Sequence, residues 1–378
     1  MRILIASDKF KGSATGAEVA ASLGDGIRSV IPDAVVEAVP VADGGEGTVD
    51  AAVASGFEPV TVEVTGPVGD PVSARFAVRG AEAIIEMAAA SGLDLLPNGQ
   101  KAPLTATSRG AGELISAALD RGCTRIVLGV GGSANTDGGA GMLQALGVSL
   151  QTSHGSVAAG GAALIDLVSA DVSGLDPRLA TASIVLASDV DNPLLGDRGA
   201  AAVFAPQKGA SADDVAALEA ALTRFAEVLE VQPGVRRSAD SPGAGAAGGV
   251  GYAALAVLGA SREPGIDVVQ RLTGLVDRLV GADLVITGEG SLDDQSLGGK
   301  TPLGVAAAAR AAGVPVVAVC GRTTLSEAQA QDAGFRDVYA LSALEPDPAS
   351  SIANAKALLV EIGVQLAHDL TRPRTSAH

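Results

Sequence analysis

A short loop near the start of the chain carries charges suited to binding an anion. In "SDKFKGS", which spans Ser7 to Ser13, Lys9 and Lys11 lie two residues apart among small residues. Two of the chain's six lysines lie here, although its formal net charge is −17. Thr15 and Glu18 follow as the T-x-x-E pattern that begins a helix with a capping box. Lysines and the partial positive charge of a helix N-terminus favour phosphate oxygens, so this loop predicts a phosphate-binding site.

Other loops of the same kind carry carboxylates and two further lysines. The loops "PVADGGEGT", "GVGGSANTDGG", "SDVDNP" and "TGEGSLDDQSLGGKT" each follow a predicted strand, and Lys208 in "PQKGA" and Lys300 in "GGKT" also lie among small residues. The acidic residues are Asp8, Asp43, Glu46, Asp137, Asp189, Asp191, Glu289, Asp293 and Asp294. Mg²⁺ usually takes one or two carboxylates together with phosphates and waters. The combination indicates a phosphoryl-transfer site, in which catalysis is mostly positioning and charge neutralisation.

Strands and helices alternate at both ends of the chain. "RILIA" and "AVVEAV" are predicted strands at the start, as are "DLVITGE", "VPVVAVC" and "DVYAL" at the end. Helices are expected from Thr48, from Thr301, from the capping box at Ser326 and from about Ser350. Repeated βα units predict a parallel, doubly wound sheet, and ligands bind outside the carboxyl ends of such strands.

The middle of the chain has a different pattern. "PVTVEVTGPVGDPVSARFAV" predicts two antiparallel strands joined by a Gly/Pro turn. "AIIEMA", "RIVLGV" and "SIVLA" are further strand candidates, and an amphipathic helix is predicted from about Ala212 to Leu229. "SPGAGAAGGVG" has the small residues of a linker, although linkers are usually more polar. The length of 378 residues also favours two domains.

Composition argues against several classes of protein. An acidic chain with only 2% aromatic residues lacks the basic face and the stacking rings of nucleic-acid-binding proteins. The longest apolar stretches fall short of the ~20 residues of a membrane span, and the N-terminus does not resemble a signal peptide. Cys123 and Cys320 lie in or beside apolar segments without metal-ligand spacing. They predict reduced core thiols in a cytoplasmic protein.

Familiar nucleotide-binding motifs are incomplete. In a P-loop, the first glycine of G-x-x-x-x-G-K-[ST] would fall at Asp294, so Lys300 is not expected to act as a Walker lysine. "GAGAAG", Gly243 to Gly248, follows a polar segment rather than a strand, which leaves an NAD(P)-dependent oxidoreductase as a weak alternative. All three histidines lie outside the charged loops, so a general base is predicted to be a carboxylate.

Eight motifs together resemble those of the bacterial type I glycerate kinases. They are "SDKFKGS", "PVADGGEGT", "VTGPVGD", "GVGGSANTDGGAGMLQALG", "SDVDNPL", "FAPQKGA", "GAAGGVG" and "TGEGSLDDQSLGGKTPLGVA", and they run in order from Met1 to about Leu344. The resemblance implies two dissimilar α/β domains. One is a discontinuous, flavodoxin-like domain with a doubly wound parallel sheet, residues 1–60 plus 265–378. The other is an inserted mixed α/β domain, residues 61–264.

Two positions depart from the pattern expected of this family. The family usually has Thr-Asn before the aspartate of the fourth motif, whereas this chain has Asn135 and Thr136 before Asp137. In the eighth motif, "GSLDDQS" replaces a more common Gly-Arg-Ile-Asp run, so that Ser291 stands where an arginine is usual.

The resemblance implies phosphorylation of D-glycerate by ATP, which gives 2-phosphoglycerate in most bacterial members. ATP and Mg²⁺ are the expected cofactors, and the transfer is expected in a cleft between the domains. The expected partners are small molecules, with no nucleic acid and no membrane, in a cytoplasmic monomer or homodimer. A kinase of another small hydroxy acid and a non-catalytic nucleotide or metabolite sensor are the open alternatives.

These expectations assign roles to particular residues. The predicted catalytic residues are Lys9, Lys11, Asp189 and Asp191. Substrate binding is assigned to Asp8, Ser13, Asp43, Glu46 and Asp137. Nucleotide or phosphate binding is assigned to Gly131, Gly132, Ser133, Gly288, Glu289, Gly290 and Lys300. The candidate metal ligands are Asp189, Asp191, Glu289 and Asp293, and which carboxylate acts as base is left open.

Overall fold

The chain divides into two units, one of which contains both ends of the sequence. The computed structural model describes residues 1–42, 44–294, 296 and 301–372. Met1–Ala42 and Val269–His378 form one compact unit, here called the terminal unit. Asp43–Val268 form the other, the central unit.

Strands and helices alternate along most of the chain. The strands are β1 (Arg2–Ser7), β2 (Val35–Ala38), β3 (Glu58–Thr65), β4 (Pro71–Arg79), β5 (Glu82–Glu86), β6 (Arg125–Gly129), β7 (Ser149–Thr152), β8 (Gly155–Ser156), β9 (Ser169–Asp171), β10 (Ser183–Ala187), β11 (Ser261–Glu263), β12 (Leu284–Leu292), β13 (Val316–Thr323) and β14 (Asp337–Ala340). The α-helices are α1 (Gly16–Val30), α2 (Thr48–Ala54), α3 (Ala88–Ser91), α4 (Arg109–Asp120), α5 (Ala140–Ala145), α6 (Ala212–Leu229), α7 (Ala246–Ala256), α8 (Gly265–Thr273), α9 (Leu275–Leu279), α10 (Thr301–Ala311), α11 (Glu327–Asp332), α12 (Pro348–Ala353) and α13 (Ala355–Thr371). Among the described residues, no helix has the length and apolar character needed to cross a bilayer.

The terminal unit is built on a five-stranded parallel sheet in the order β14-β13-β12-β1-β2. Counted within the unit, this is the order 2-1-3-4-5 of flavodoxin-like folds. Its strands are continuous apolar runs because both faces are covered: the successive residues Ile3, Leu4 and Ile5 are each at most 1% exposed. The predicted doubly wound sheet is confirmed, and capping boxes are present at Thr15 and Ser326 as expected.

The central unit contains a six-stranded mixed sheet, β11-β10-β6-β5-β4-β3, and a small antiparallel sheet, β8-β7-β9. The predicted hairpin is confirmed, since β3 and β4 pair antiparallel with Val60 opposite Phe76. β5, β6, β10 and β11 are parallel neighbours. The helix predicted from Ala212 is α6, and Ser211 and Asp214 form its capping box.

Helix α2 belongs to the central unit, although the sequence analysis places residues up to 60 in the terminal domain. Glu86, at the end of β5, accepts hydrogen bonds from Gly47 N (3.0 Å) and Val49 N (2.6 Å). Amides in the first turn of a helix have no partner within it, so this carboxylate holds the start of α2 against β5. Burial raises the pKa of Glu86. Contacts with β5, which lies far along the chain, therefore decide where α2 belongs.

Two glycines let α1 and α13 cross with their backbones in contact. A Cβ atom on Gly26 would lie 2.1 Å from the Val360 carbonyl oxygen, and one on Gly363 would lie 2.5 Å from that of Leu23. These distances are far below van der Waals contact, so only glycine fits at both positions unless one helix moves. The crossing fixes the last helix of the chain on the first.

Gly26→Ala should lower the free energy of unfolding by about 1–3 kcal/mol, because the added methyl group forces α1 and α13 apart. The control is Gly24→Ala in the same helix, where the nearest neighbour of the new Cβ is the flexible Arg28 guanidinium at 3.1 Å. That variant should be neutral or slightly more stable, since alanine favours helix. Urea unfolding tests this, and equal stability of the two variants would contradict the backbone contact.

Candidate functional site

A cavity of about 210 Å³ lies in the central unit, at the carboxyl ends of the neighbouring parallel strands β6 and β10. Its walls come from residues 44–45, 130–133, 187–190 and 246–247, together with Leu93, Phe204, Gln207 and Lys208. Several of these segments belong to loops that the sequence analysis singled out. Because ligands of open α/β sheets bind at this end of the strands, the cavity is the candidate site of the central unit.

Glycines bring the walls of this cavity together through direct backbone contact. A Cβ atom on Gly129 would lie 2.3 Å from the Gly44 carbonyl oxygen, and one on Gly131 would lie 2.7 Å from Gly45 Cα. The segments "GGEGT" and "GVGGS" therefore pack against each other. Residues 131–133 also line the cavity, and their role in binding a nucleotide or a phosphate stays a prediction.

Asp137 is buried, and its oxygens are occupied by donors of the protein. Oδ2 accepts hydrogen bonds from the backbone N and the Oγ of Ser108, both at 2.8 Å. Oδ1 accepts from Asn135 Nδ2 (2.8 Å) and Gly139 N (3.1 Å). These bonds tie the loop after β6 to the N-terminus of α4. They indicate a structural role, and the substrate contact assigned to Asp137 stays a prediction.

Lys208 lines this cavity, although no specific role was predicted for it from the sequence. It is only 2% exposed, and its Nζ donates hydrogen bonds to Ser133 Oγ (3.0 Å) and to the Asn135 carbonyl oxygen. Burial lowers the pKa of Lys208 to about 7, which the charge of Asp137 partly opposes. The motif "FAPQKGA" was the available signal, but a lysine in a loop is usually solvated, and the sequence does not show that the chain turns it inward.

The "GAGAAG" segment packs against the cavity loops and is neither a linker nor a dinucleotide loop. A Cβ atom on Gly245 would lie 2.3 Å from the Pro193 carbonyl oxygen, and one on Gly248 would lie 2.2 Å from that of Asn135. Ala247 takes a positive φ of 53° at the start of α7. The glycines are explained by these contacts, so they offer no support for the oxidoreductase alternative.

The two aspartates after β10 differ in their surroundings. Asp189 lines the cavity, and its Oδ1 accepts a hydrogen bond from Gly265 N (2.8 Å) at the start of α8. Asp191 is 67% exposed and forms an ion pair with Arg262 Nη2 at 2.7 Å. Asp189 is therefore the carboxylate that a ligand in the cavity would meet, and Asp191 is an exposed carboxylate paired with an arginine.

For three other predicted site residues, the structure gives little or no information about a role in binding. Glu46 is exposed in the loop before α2. Burial raises the pKa of Glu86, and the nearby negative charge of Glu46 raises it further. Asp43, assigned to substrate binding, and Lys300, assigned to phosphate binding, lie outside the described residues. Their roles stay predictions.

In the terminal unit, the loops after β1 and β12 lie side by side where the strand order reverses. Ser7 lies opposite Gly288 in the parallel ladder, and Asp8 N donates to the Gly288 carbonyl oxygen (2.9 Å). The Asp8 carboxylate accepts from Lys9 N (2.7 Å) and Thr301 Oγ1 (3.4 Å), which ties the loop to the start of α10. Flavodoxin-like folds bind ligands at this switch point.

The two lysines of the first loop lie in different environments. The Nζ atom of Lys9 is shielded from solvent, whereas the side chain of Lys11 is exposed. Ser13 Oγ donates to the Phe10 carbonyl oxygen (3.0 Å) and closes the turn between the lysines and α1. Lys9 is thus the cation that the fold itself positions, and the substrate contact assigned to Ser13 stays a prediction.

Strand packing explains Gly288, the glycine before Glu289, whereas a Cβ atom on Gly290 would meet only ordinary contacts, the nearest at 3.5 Å from Lys11 N. A Cβ atom on Gly288 would lie 1.8 Å from the Val319 carbonyl oxygen, and one on Gly321 would lie 2.5 Å from that of Gly290. The side chain of Glu289 follows Gly288 at the carboxyl end of β12, beside Cys320 of β13. Nucleotide or phosphate binding by residues 288–290 stays a prediction.

Arg322, on the neighbouring strand β13, lies beside Ser291. Ser291 occupies the position at which an arginine is usual in the eighth motif of the family. Ser291 is opposite Arg322 in the β12–β13 ladder, and Arg322 Nε donates to Ser291 Oγ (3.2 Å). Ser291 Oγ in turn donates to Asp293 Oδ2 (3.2 Å). A guanidinium is therefore linked to the candidate ligand Asp293 through the Ser291 hydroxyl, although the motif lacks its arginine.

The predicted metal ligands do not form a cluster within either unit. Across residues 1–42, 44–294, 296 and 301–372, no group of three or more His, Cys, Asp or Glu side chains could hold a metal ion. Mg²⁺ in phosphoryl-transfer sites needs only one or two carboxylates, because substrate phosphates and waters complete its shell. One or two of the predicted carboxylates at the ends of strands would meet that requirement.

The terminal unit has a flavodoxin-like sheet with charged residues at its switch point. The central unit is a mixed α/β unit with a cavity lined by a lysine. These features suit phosphoryl transfer. Residues 3–371 match the glycerate kinase family. The chain is 50% identical to a glycerate kinase of Bacillus subtilis (strain 168) over 325 residues, 85% of each chain. It is 48% identical to a glycerate 2-kinase of Escherichia coli (strain K12) over 329 residues, 86% of each.

A solved structure agrees with these sequence matches. The fold is similar to the crystal structure of a protein described as a glycerate kinase 2 from Salmonella typhimurium LT2, with a TM-score of 0.82 and 43% identity. The match covers 98% of this chain and 100% of the other. The chain therefore belongs to the glycerate kinase family and is a kinase, as its eight motifs indicate.

Burial of Lys208 should make the stability of the protein depend on pH. The folded state loses the proton of Lys208 near pH 7, whereas an unfolded lysine keeps it to about pH 10.4. Between these values the unfolded chain binds one more proton, so the stability of the wild type relative to Lys208→Met should rise with pH by up to ~1.4 kcal/mol per unit. Denaturant unfolding of both proteins at pH 7.5, 8.5 and 9.5 measures this. Lys356→Met, which removes an exposed lysine and its ion pair with Glu18, controls for loss of a surface charge, and parallel curves for wild type and Lys208→Met would refute the lowered pKa of Lys208.

Arg322→Ser should reduce kcat/KM about 10- to 100-fold, the loss expected when a charged hydrogen-bonding group is removed from a site. Ser291→Arg added to that variant should restore most of the activity, because a guanidinium then returns from β12. Arg336→Ser, which breaks an ion pair with Asp337 in the same unit, is the control and should leave turnover unchanged. Full activity of Arg322→Ser would show that the guanidinium beside Ser291 is not used.

Proposed function

We propose that this kinase transfers the γ-phosphoryl group of ATP to D-glycerate and produces 2-phosphoglycerate, with Mg²⁺ as cofactor. The observation that supports this most is the flavodoxin-like switch point, where the Lys9 loop and the Glu289–Asp293 segment lie side by side after β1 and β12. The relative named glycerate 2-kinase supports the acceptor and the position of the product. The chain's membership of a kinase family supports ATP as the phosphoryl donor.

The loop after β1 would neutralise charge on the transferring phosphoryl group. Lys9 is held within the fold, and the amides of the turn before α1 lie at the positive end of that helix dipole. A preorganised cation stabilises the transition state without having to reorganise during the reaction. Lys11 is exposed and would contribute less, either to phosphate binding or to attraction of the anionic substrates.

The carboxylates fit a magnesium ion shared with ATP. Glu289 and Asp293 in the terminal unit and Asp189 in the central unit are the candidate ligands, while the ion pair with Arg262 makes Asp191 a weaker one. When bound, Mg²⁺ would offset the negative charge of the phosphates during transfer. That the substrates meet between the two domains stays a prediction.

A carboxylate would accept the proton of the attacking hydroxyl group. The described histidines, His154 and His368, do not line the cavity, and Asp189 does. The hydrogen bond from Gly265 N fixes one oxygen of Asp189, and this carboxylate at the cavity wall would orient the glycerate hydroxyl. Transfer then breaks the bond between the γ-phosphorus and its bridging oxygen as the hydroxyl oxygen attacks, and ADP leaves.

Product analysis tests the proposed reaction directly. ADP release should require ATP, Mg²⁺ and D-glycerate together, and phosphorus NMR should place the new phosphate on the C2 oxygen. Phosphate on the C3 oxygen would keep the kinase and overturn the proposed product. If only other hydroxy acids supported ADP release, the acceptor would be wrong.

Asp189→Asn should lower kcat about 10²–10³-fold, and Asp191→Asn should lower it less than about tenfold. The first variant removes the carboxylate that lines the cavity, and the second removes one that is exposed and paired with arginine. The two substitutions are chemically identical and lie two residues apart, so each serves as the control for the other. Equal losses, or the reverse order, would contradict the assignment of Asp189.

A further inference from the structure

The buried ammonium of Lys208 has no anionic partner in direct contact among the residues that the structure describes. Of its three N–H donors, two reach Ser133 Oγ and the Asn135 carbonyl oxygen, which are both neutral. Within the described part of the chain, no carboxylate accepts a hydrogen bond from this group. Asp137, the acid whose charge acts on Lys208, is linked to it through Asn135 and has both oxygens filled by other donors. Burying a charge without an opposite charge beside it costs free energy, so the charged form of Lys208 is destabilised where no carboxylate contacts it.

A second buried polar group that lines the cavity lacks a hydrogen-bond partner among the described residues. Ser188 lines the cavity and is 4% exposed, and its Oγ has no hydrogen-bond partner among the described residues. A buried hydroxyl that stays unsatisfied costs about 1–3 kcal/mol. A ligand that accepts hydrogen bonds would satisfy both the serine and the lysine.

We infer that the cavity is the subsite for an anionic group of a substrate, a carboxylate or a phosphate, which Lys208 and Ser188 bind directly. The inference rests on the proposed function and adds two residues and a ligand class to it. The volume of about 210 Å³ is below the ~300–1,000 Å³ of pockets for drug-sized ligands, so the cavity suits a small acid or one phosphate group rather than a whole nucleotide.

The surrounding charges decide how binding responds to pH. The acids near Lys208 are Asp137, linked through Asn135, and Asp189, which lines the same cavity. Burial lowers the pKa of Lys208 to about 7, so the ligand-free protein loses the proton of this lysine at a lower pH than an exposed lysine would. An anion beside Nζ favours the charged form, and binding at pH 8 should therefore take up a proton.

Steady-state kinetics show which substrate supplies the anion. Lys208→Met should raise one KM at least tenfold, that of D-glycerate if its carboxylate occupies the subsite or that of ATP if a phosphate does. Ser188→Ala removes only an unsatisfied hydroxyl, so it should fold normally and should raise the same KM about three- to tenfold. Lys356→Met, an exposed lysine in the terminal unit, is the control. Unchanged KM values in both test variants would overturn the subsite.

A binding measurement separates failure of the subsite from failure of the proposed reaction. Calorimetry at pH 8 in two buffers of different ionisation enthalpy would measure proton uptake when D-glycerate or inorganic phosphate binds, with glycerol as the uncharged control. Proton uptake by the wild type that is lost in Lys208→Met supports the subsite even if D-glycerate is not phosphorylated. Binding without proton uptake, or uptake that persists in Lys208→Met, would refute it whatever the outcome of the kinase assay.

Discussion

The buried carboxylate of Asp137 holds together the part of the central unit on which the cavity depends. A carboxylate removed from water must have its oxygens occupied, and donors from residues 108 and 135–141 do this. Those bonds anchor the loop after β6 to the N-terminus of α4. The loop in turn presents the Ser133 hydroxyl and the Asn135 carbonyl oxygen that hold Lys208. The buried carboxylate of Asp137 thus positions the loop whose residues hydrogen-bond to the buried Lys208.

In the terminal unit, the order of the strands brings the candidate site residues together. Parallel pairing brings the carboxyl ends of β1, β12 and β13 to one edge, so loops almost 300 residues apart in sequence become neighbours. Asp8 and Thr301 meet there, as do Ser291 and Arg322. The second pair shows how a strand can supply a charge that its neighbour lacks, because side chains opposite each other in a ladder reach the same space.

Most of the secondary structure could be predicted from the chain alone. Both ends alternate apolar runs with capped helices, and their βα units form the expected parallel sheet with capping boxes at Thr15 and Ser326. The hairpin β3–β4 and the helix α6 also lie where alternation and amphipathicity indicate. These features were predictable because they depend on neighbouring residues. The family was predictable as well, since eight loop motifs keep their order and spacing.

What the charged loops contribute was decided by the tertiary structure. Their glycines suggest approach to a ligand, but at Gly129, Gly131 and Gly288 they accommodate other backbone segments. Asp189 and Asp191 look equivalent in sequence, yet one lines a cavity and the other pairs with an arginine. Lys208 looks like any solvated lysine until the fold buries it. Burial and charge pairing depend on residues far apart in the chain, so sequence determines the elements and the family, and packing determines what each charged residue contacts.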